Sequence, residues 1–296
     1  MSKKITFADL AARYRITDGG KFRLKDHDPA DTWKFHNKEK TAAMLARGVE
    51  RLTELQEKLY AQDQRAVLLI FQAMDAAGKD GTIKHVLSGV NPQGCQVTSF
   101  KAPSATELDH DFLWRSACAL PERGRIGIFN RSYYEETLVV RVHPEILQGQ
   151  RLPAKLVSKH LWRERFEDIA DYERHLGRSG TVVRKFFLHV SKAEQKRRFL
   201  ARLEEPAKNW KFSAGDLKER ARWDDYQAAY EETIAHTATA DAPWQVIPAD
   251  SKWFTHMAVM AVVIETLESL ELAFPKVDKA QRASLAQARA ALTGED

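Results

Sequence analysis

The stretch AVLLIFQAMDAAGKDGTIKHVL, Ala66 to Leu87, constrains the fold more than any other part of the chain. From Val67 the sequence is apolar and β-branched up to Gln72, the pattern of a strand covered on both faces. A turn of small residues follows and ends in Gly78-Lys79, and Lys79 to Leu87 reads as a helix. A buried strand, a tight turn and a helix opening on lysine present backbone N–H groups and the positive end of a helix dipole to an anion. The turn departs from G-x-x-x-x-G-K-[ST] at two points: Ala73 replaces the first glycine and Asp80 the Ser/Thr. Ala73 lacks easy access to positive φ, so the turn there must stay in ordinary backbone space. The alternative is a strand-to-helix turn with no ligand; the flanking strand and helix favour a phosphate loop.

The strand–helix pattern repeats. Apolar positions at helical spacing from Glu39 to Gln62 precede the first strand. Further strands are expected at Gln96–Phe100, Arg125–Phe129, Thr181–Val190 and Trp244–Pro248. Helices are expected from a capping box at Ser104–Glu107 to about Leu120, over Ala154–Leu176, from a second box at Ser191–Glu194 to about Glu205, over Leu217–Thr237 and over Phe254–Leu270. Pro206–Asp216 interrupts the pattern, residues 1–35 look irregular, and the polar tail has room for one more helix. Strands alternating with helices give a three-layer α/β/α fold with a five-stranded parallel sheet, in one domain over residues 1–272 with a tail over 273–296.

Two cysteines, Cys95 and Cys118, form neither a disulfide framework nor a zinc pattern. The first residues lack the apolar core of a signal peptide, and the longest apolar run, Met257–Ile264, is far short of a membrane span. A soluble cytoplasmic protein is expected, with no membrane partner. Between Arg184 and Arg222 there are 12 Lys/Arg against 5 Asp/Glu, a local excess larger than the net charge of +5. Such a segment is either a solvated helix face or a track for a polyanion.

Sites in open parallel sheets lie at the carboxyl ends of strands. Two such ends carry unusual chemistry, Ala73–Thr82 and Asn130–Glu136. Lys79 supplies a point charge for a transferring phosphoryl group, Gly78 permits close backbone approach, and Gly81 keeps the turn open. Asp75 would repel phosphate unless a cation lay between them, so it reads as a Mg²⁺ ligand, with Mn²⁺ as a substitute, or as an acceptor for the incoming nucleophile. Arg131, leaving a buried strand, either binds phosphate or pairs with Glu135 or Glu136. His85, His110, His143, His160, His175, His189, His236 and His256 have no metal spacing and read as structural or surface groups.

With QAMDAAGKDGT (Gln72–Thr82), GVNPQG (Gly89–Gly94), IFNRSYYEE (Ile128–Glu136) and PAKNWKFSAGDLKER (Pro206–Arg220), residues 15–272 resemble the second family of polyphosphate kinases, in its class III branch. The resemblance implies a P-loop kinase fold with a helical lid, over about residues 202–222, and a polyphosphate donor with AMP and ADP as acceptors, giving ADP and ATP. The family loop is G-x-D-x-x-G-K, so Asp75 and Lys79 fall on its positions. The ADP-specific branch has Asp-Arg-Ser-x-Tyr-Asn where this chain has Asn130 to Glu135, an exchange that argues for AMP use. The resemblance implies catalytic Asp75, Lys79 and Arg131. It implies phosphate contacts from Gly78, Asp80, Gly81, Thr82, Arg202, Lys208 and Lys211, and nucleotide contacts from Asn130, Arg131, Glu135 and Glu136. Trp210, within that lid, reads as a packing anchor. A homo-oligomer, dimer or tetramer, is expected, with the N-terminal segment and Phe254–Leu270 as candidate interfaces. No nucleic-acid partner is expected, as no recognition motif is present. The rival readings are an ATP-dependent nucleoside monophosphate kinase and a non-catalytic polyanion-binding protein.

Overall fold

The structure, a computed structural model, describes residues 5–35 and 38–294; Met1–Lys4 and the last two residues of the tail lie outside them. Its centre is a six-stranded sheet in the order β1-β6-β5-β2-β4-β3. The strands are β1 (Arg15–Ile16), β2 (Ala66–Gln72), β3 (Cys95–Ser99), β4 (Ile126–Asn130), β5 (Thr181–His189) and β6 (Trp244–Pro248). The last five pair in parallel and match the expected strands. The sixth, β1, adds an antiparallel edge by pairing Arg15 with Gln245 and Ile16 with Trp244. This corrects the expectation of five strands and an irregular N-terminus. Phe7–Arg13 is a helix opened by a capping box between Thr6 and Asp9, in which a carboxylate one methylene shorter than the usual Glu closes the reciprocal bond.

Helices cover both faces of the sheet, and two neighbours on β5 show it. Arg184 Nε donates to Thr266 Oγ1 on the helix Lys252–Glu268, while Lys185 Nζ donates to Glu173 on the helix Leu161–Arg178. Successive strand residues point to opposite faces, so these helices lie on opposite sides. Burial on both sides explains why all seven residues of β2 are buried. Lys252–Glu268 also packs on Phe7–Arg13, Lys38–Gln62 and Lys79–Val86, and twelve of its residues, Phe254 to Leu267, are buried. It is therefore core and offers no interface, contrary to the expectation for Phe254–Leu270.

Three expected helices are shorter or broken. The Ser104 box forms, but its helix stops at Leu108 because the Asp111 carboxylate takes the Leu113 N–H at 2.9 Å; a second turn covers Trp114–Ala117. The helix expected from Ala154 starts at Leu161. Leu217–Thr237 is two helices, Ala214–Ala221 and Trp223–Thr237, breaking at Arg222, whose guanidinium reaches across to Val142 O. Only half of the second box forms: Ser191 Oγ accepts from Glu194 N, while the Glu194 carboxylate pairs with Arg197 and Arg198. The tail carries the helix Lys279–Thr293, capped by Asp278 and exposed along its length.

Candidate active site

β2 and β4 are neighbours, with Phe71 opposite Asn130, so the loops leaving their carboxyl ends meet. The loop after β2 runs over Ala73–Gly78. Positive φ falls on Ala76, at 61°, and on Gly78, at 110°, and not on Ala73. Gly78 caps the helix Lys79–Val86 in the left-handed region, where a Cβ is disfavoured. Lys79 Nζ folds back to donate to Ala73 O at 2.8 Å, at the mouth of the loop. Burial and the nearby Arg131 lower the Lys79 pKa, opposed by Asp75, Glu135 and Asp80. Gly81 lies inside the helix with open space around it, so it is not what keeps the turn open.

Across the cleft, the Arg131 N–H donates to Phe71 O at 3.0 Å and continues the β2–β4 pairing by one residue. Its guanidinium reaches Asp75 Oδ1 at 3.2 Å and Glu135 at 3.8 Å. Glu135 Oε1 accepts from Gln72 Nε2 at 2.8 Å, and Asp80 Oδ1 accepts from Asn130 Nδ2 at 2.7 Å. Asp75, Lys79, Asp80, Asn130, Arg131 and Glu135 are thus brought into one charge cluster. Glu136 departs from it. It is buried and held by Arg165 Nε at 3.1 Å and Gln150 at 2.7 Å, and burial raises its pKa.

A trough of about 720 Å³ opens over the loop. Its walls carry nine Lys/Arg against three Asp/Glu. Gly78, Thr82, Arg202, Lys208 and Lys211, for which phosphate contact was expected, line it. Lys101 and Lys252 also line it and were missed, although each follows the carboxyl end of a strand, β3 or β6, where sites collect. His256 lines it too; its ring stacks on His85 at 4.3 Å, and burial pushes its pKa down to about 4.

Arg198 and Gln195 had no separate signal within the basic segment, yet they hold the loop. Arg198 is 6% exposed and spans four backbone carbonyls: Ala76 O and Ala77 O in the loop, Ala249 O and Asp250 O after β6. Gln195 Nε2 donates to Asp75 O at 2.9 Å. Beyond them, Arg202 pairs with Asp216 at 3.1 Å, Lys208 pairs with Glu205, and Lys211 lies over the Trp210 ring. Trp210 is 78% exposed, which corrects its reading as a packing anchor; its indole N–H donates to Ala207 O and Lys211 lies over its ring.

A smaller pocket of about 200 Å³ adjoins the trough and shares Lys101, Ala102 and Arg131 with it. Glu135, Glu136 and Gln150 supply its polar wall, and Leu108, Phe112, Val139 and Ile146 its apolar wall.

A parallel sheet with a lysine-bearing loop at the end of a central strand, under a basic trough, defines a phosphotransferase of the P-loop kinase fold. Residues 34–275 match the polyphosphate kinase 2 (PPK2) family. The chain is 54% identical to the ADP-polyphosphate phosphotransferase of Rhodopseudomonas palustris, over 94% of this chain and 96% of that one. It is 46% identical to the AMP/ADP-polyphosphate phosphotransferase of Meiothermus ruber, over 90% and 97%. The crystal structure of polyphosphate kinase 2 from Arthrobacter aurescens superposes with a TM-score of 0.85 at 40% identity, covering 96% of this chain and 97% of that one. The chain belongs to the polyphosphate kinase 2 family. Among the described residues no helix is long and apolar enough to cross a membrane.

Proposed function

We propose that the protein transfers terminal phosphoryl groups from inorganic polyphosphate to AMP and ADP, giving ADP and ATP, in a reversible reaction. The observation that carries this reading is the trough's excess of cations, nine against three, drawn from the loops after β2, β3 and β4, the helix Lys192–Glu204, the 202–211 segment and the turn after β6. A nucleotide has few phosphates to meet so many charges, whereas a polymer with about one charge per residue meets in series those that, unlike Arg198, are not tied to backbone carbonyls. The adjoining pocket, with an apolar wall and a carboxylate at Glu135, suits the acceptor nucleoside. AMP use is supported by Asn130 and Glu135, which reverse the acid and amide of the ADP-specific pattern.

Lys79 and Arg131 then flank the transferring group and neutralise charge that develops on its oxygens. Asp75 and Asp80 fit a magnesium or manganese site. Among the described residues no three acidic, His or Cys side chains converge as a ready-made metal cluster. Magnesium needs no such cluster, since one or two carboxylates suffice when phosphate oxygens and water complete the shell. The bound metal would supply neutralisation of the phosphate oxygens. The 202–222 segment acts as the lid of a single catalytic domain over residues 1–272, excluding water from the transfer. The same reading takes the enzyme to be a cytoplasmic homo-oligomer, a dimer or tetramer, with no nucleic-acid partner; sedimentation of the purified protein tests the oligomeric state.

The deciding assay offers AMP or ADP with Mg²⁺ and either polyphosphate or ATP, and resolves the products by chromatography. Turnover of both acceptors with polyphosphate is expected. Turnover of AMP with ATP alone would replace the reading by a nucleoside monophosphate kinase, and polyphosphate binding without turnover by a polyanion-binding protein.

A further inference from the structure

Arg131 has φ 66°, a left-handed backbone that costs a residue with a Cβ about 1 kcal/mol or more. Such a conformation persists only where the surroundings enforce it. A buried hydrogen-bond cluster lies beneath the turn. Tyr133 Oη and Tyr134 Oη, two and three residues on, both donate to Glu173 Oε1, at 2.9 and 2.7 Å. Lys185 Nζ donates to Glu173 Oε2 at 2.6 Å and to Thr237 O at 2.7 Å. The side chains of Lys185 and Glu173 are 0% and 1% exposed. The far end of the turn is held as well: Thr233 Oγ1 donates to Thr137 Oγ1 at 3.1 Å.

A buried ion pair is poor value as a source of stability, because well-packed apolar residues of similar volume do as well or better. Its geometry here is specific: one carboxylate satisfies two adjacent tyrosines with one oxygen and a lysine with the other. Both tyrosines lie between the two residues, Arg131 and Glu135, that face the P-loop.

We propose that Glu173 is a positioning residue for phosphoryl transfer. Through Tyr133 and Tyr134 it fixes the 130–136 turn so that the Arg131 guanidinium reaches the P-loop side of the trough; Lys185 balances its charge. The proposal rests on the reading of Arg131 as a cation of the transfer site.

The test measures kcat, both KM values and the melting midpoint, well below the lowest midpoint, for wild type, Tyr133→Phe/Tyr134→Phe, Arg131→Lys and their combination. The tyrosine pair should lower kcat about tenfold, leave both KM values within about twofold, and have no further effect in the Arg131→Lys background. Equal losses in both backgrounds, or a lower melting midpoint with unchanged kcat, would reduce the cluster to a structural role and overturn the proposal. An Arg131→Lys variant with wild-type kcat would remove the role of Arg131 and the proposal with it, while wild-type transfer from polyphosphate would still stand. A second comparison addresses Glu173 directly. Glu173→Gln/Lys185→Met keeps an acceptor for the tyrosines and should retain kcat within about threefold, whereas Glu173→Leu/Lys185→Met should fall with the tyrosine pair. Identical kcat in these two variants would overturn the assignment.

Discussion

Asn130 Nδ2 donates to Asp80 Oδ1 at 2.7 Å, joining the end of β4 to the position where other P-loops carry a hydroxyl. An amide can do this next to a carboxylate; a second carboxylate cannot without a proton or a cation between them. Asn130→Asp should therefore lower the melting temperature in EDTA, by on the order of 1 kcal/mol of stability for a pair open to solvent, and Mg²⁺ should restore it. Thermal denaturation with and without Mg²⁺ checks this. A variant indifferent to magnesium would mean that Asp80 faces no metal position.

Glu135 is held on the other side of the same turn, by Gln72 at 2.8 Å, and lines the smaller pocket. Exchanging acid and amide together, Asn130→Asp with Glu135→Asn, keeps the count of carboxylates and moves one from the acceptor side to the loop side. The ratio of AMP to ADP turnover should fall. An unchanged ratio would show that acceptor choice is made elsewhere.

Lys79 and Arg198 both line the trough, but Lys79 donates to one carbonyl, Ala73 O, and Arg198 to four. Lys79→Ala should cost on the order of 10²-fold in kcat with the melting temperature retained, as for other preorganised charge donors. Arg198 is spent on four carbonyls, a fork that a lysine cannot reproduce. Arg198→Lys should lower both kcat, about tenfold, and the melting temperature, yet leave the salt dependence of polyphosphate KM unchanged. A flattened salt dependence in Arg198→Lys would place its charge on the substrate.

Acid should destabilise the fold through histidines. Burial and the nearby His27 push His189 down to about 4, and His256 is lowered to a similar value by burial and the nearby His85. As pH falls from about 6.5 towards 4, the unfolded chain binds protons at these positions that the folded chain refuses, so stability is lost across that window. His189, 8% exposed, contributes about 2–3 kcal/mol at the lower end; His256, more open, contributes less. Melting temperatures of wild type and His189→Gln from pH 7 to 4 should diverge least at pH 7 in their slopes and most near pH 5. Parallel curves would remove His189 from the acid response.

The parallel sheet was legible because strand-like segments alternate with helical ones, and the P-loop because a continuous apolar run, β2, leads through a small-residue turn into Gly78-Lys79. The edge strand β1 was not, since two residues leave no periodicity to read. The site residues legible in sequence were those at the two strand ends and, through the family resemblance, Arg202, Lys208 and Lys211 of the 202–211 segment. Arg198 was hidden for a physical reason: within a basic helix nothing local separates a guanidinium that folds onto remote carbonyls from one that faces solvent, and its partners lie over 50 and 120 residues away. Glu173 was hidden likewise, because its three donors come from β5 and the turn after β4.

The lid segment gives the sharpest test of a polymer donor. Lys208 and Lys211 line the trough three positions apart, between the helix Lys192–Glu204 and the helix Ala214–Ala221. Lys208 pairs with the exposed Glu205 and Lys211 lies over the exposed Trp210 ring, contacts loose enough to be exchanged for phosphate. Arg202 differs, being tied to Asp216 within the segment. Lys208→Gln with Lys211→Gln should raise the polyphosphate KM about tenfold or more, with the AMP KM changed far less. Each lost phosphate contact also removes a released counterion, so log KM against log salt should flatten by about one unit per lysine that contacts the chain. Arg202→Gln should instead lower kcat by loosening the segment, with a smaller change of slope. Steady-state kinetics at several ionic strengths, varying each substrate in turn, separates the outcomes. Equal effects on both substrates would mean that these lysines only close the site, and an effect on AMP alone would exchange the donor and acceptor pockets.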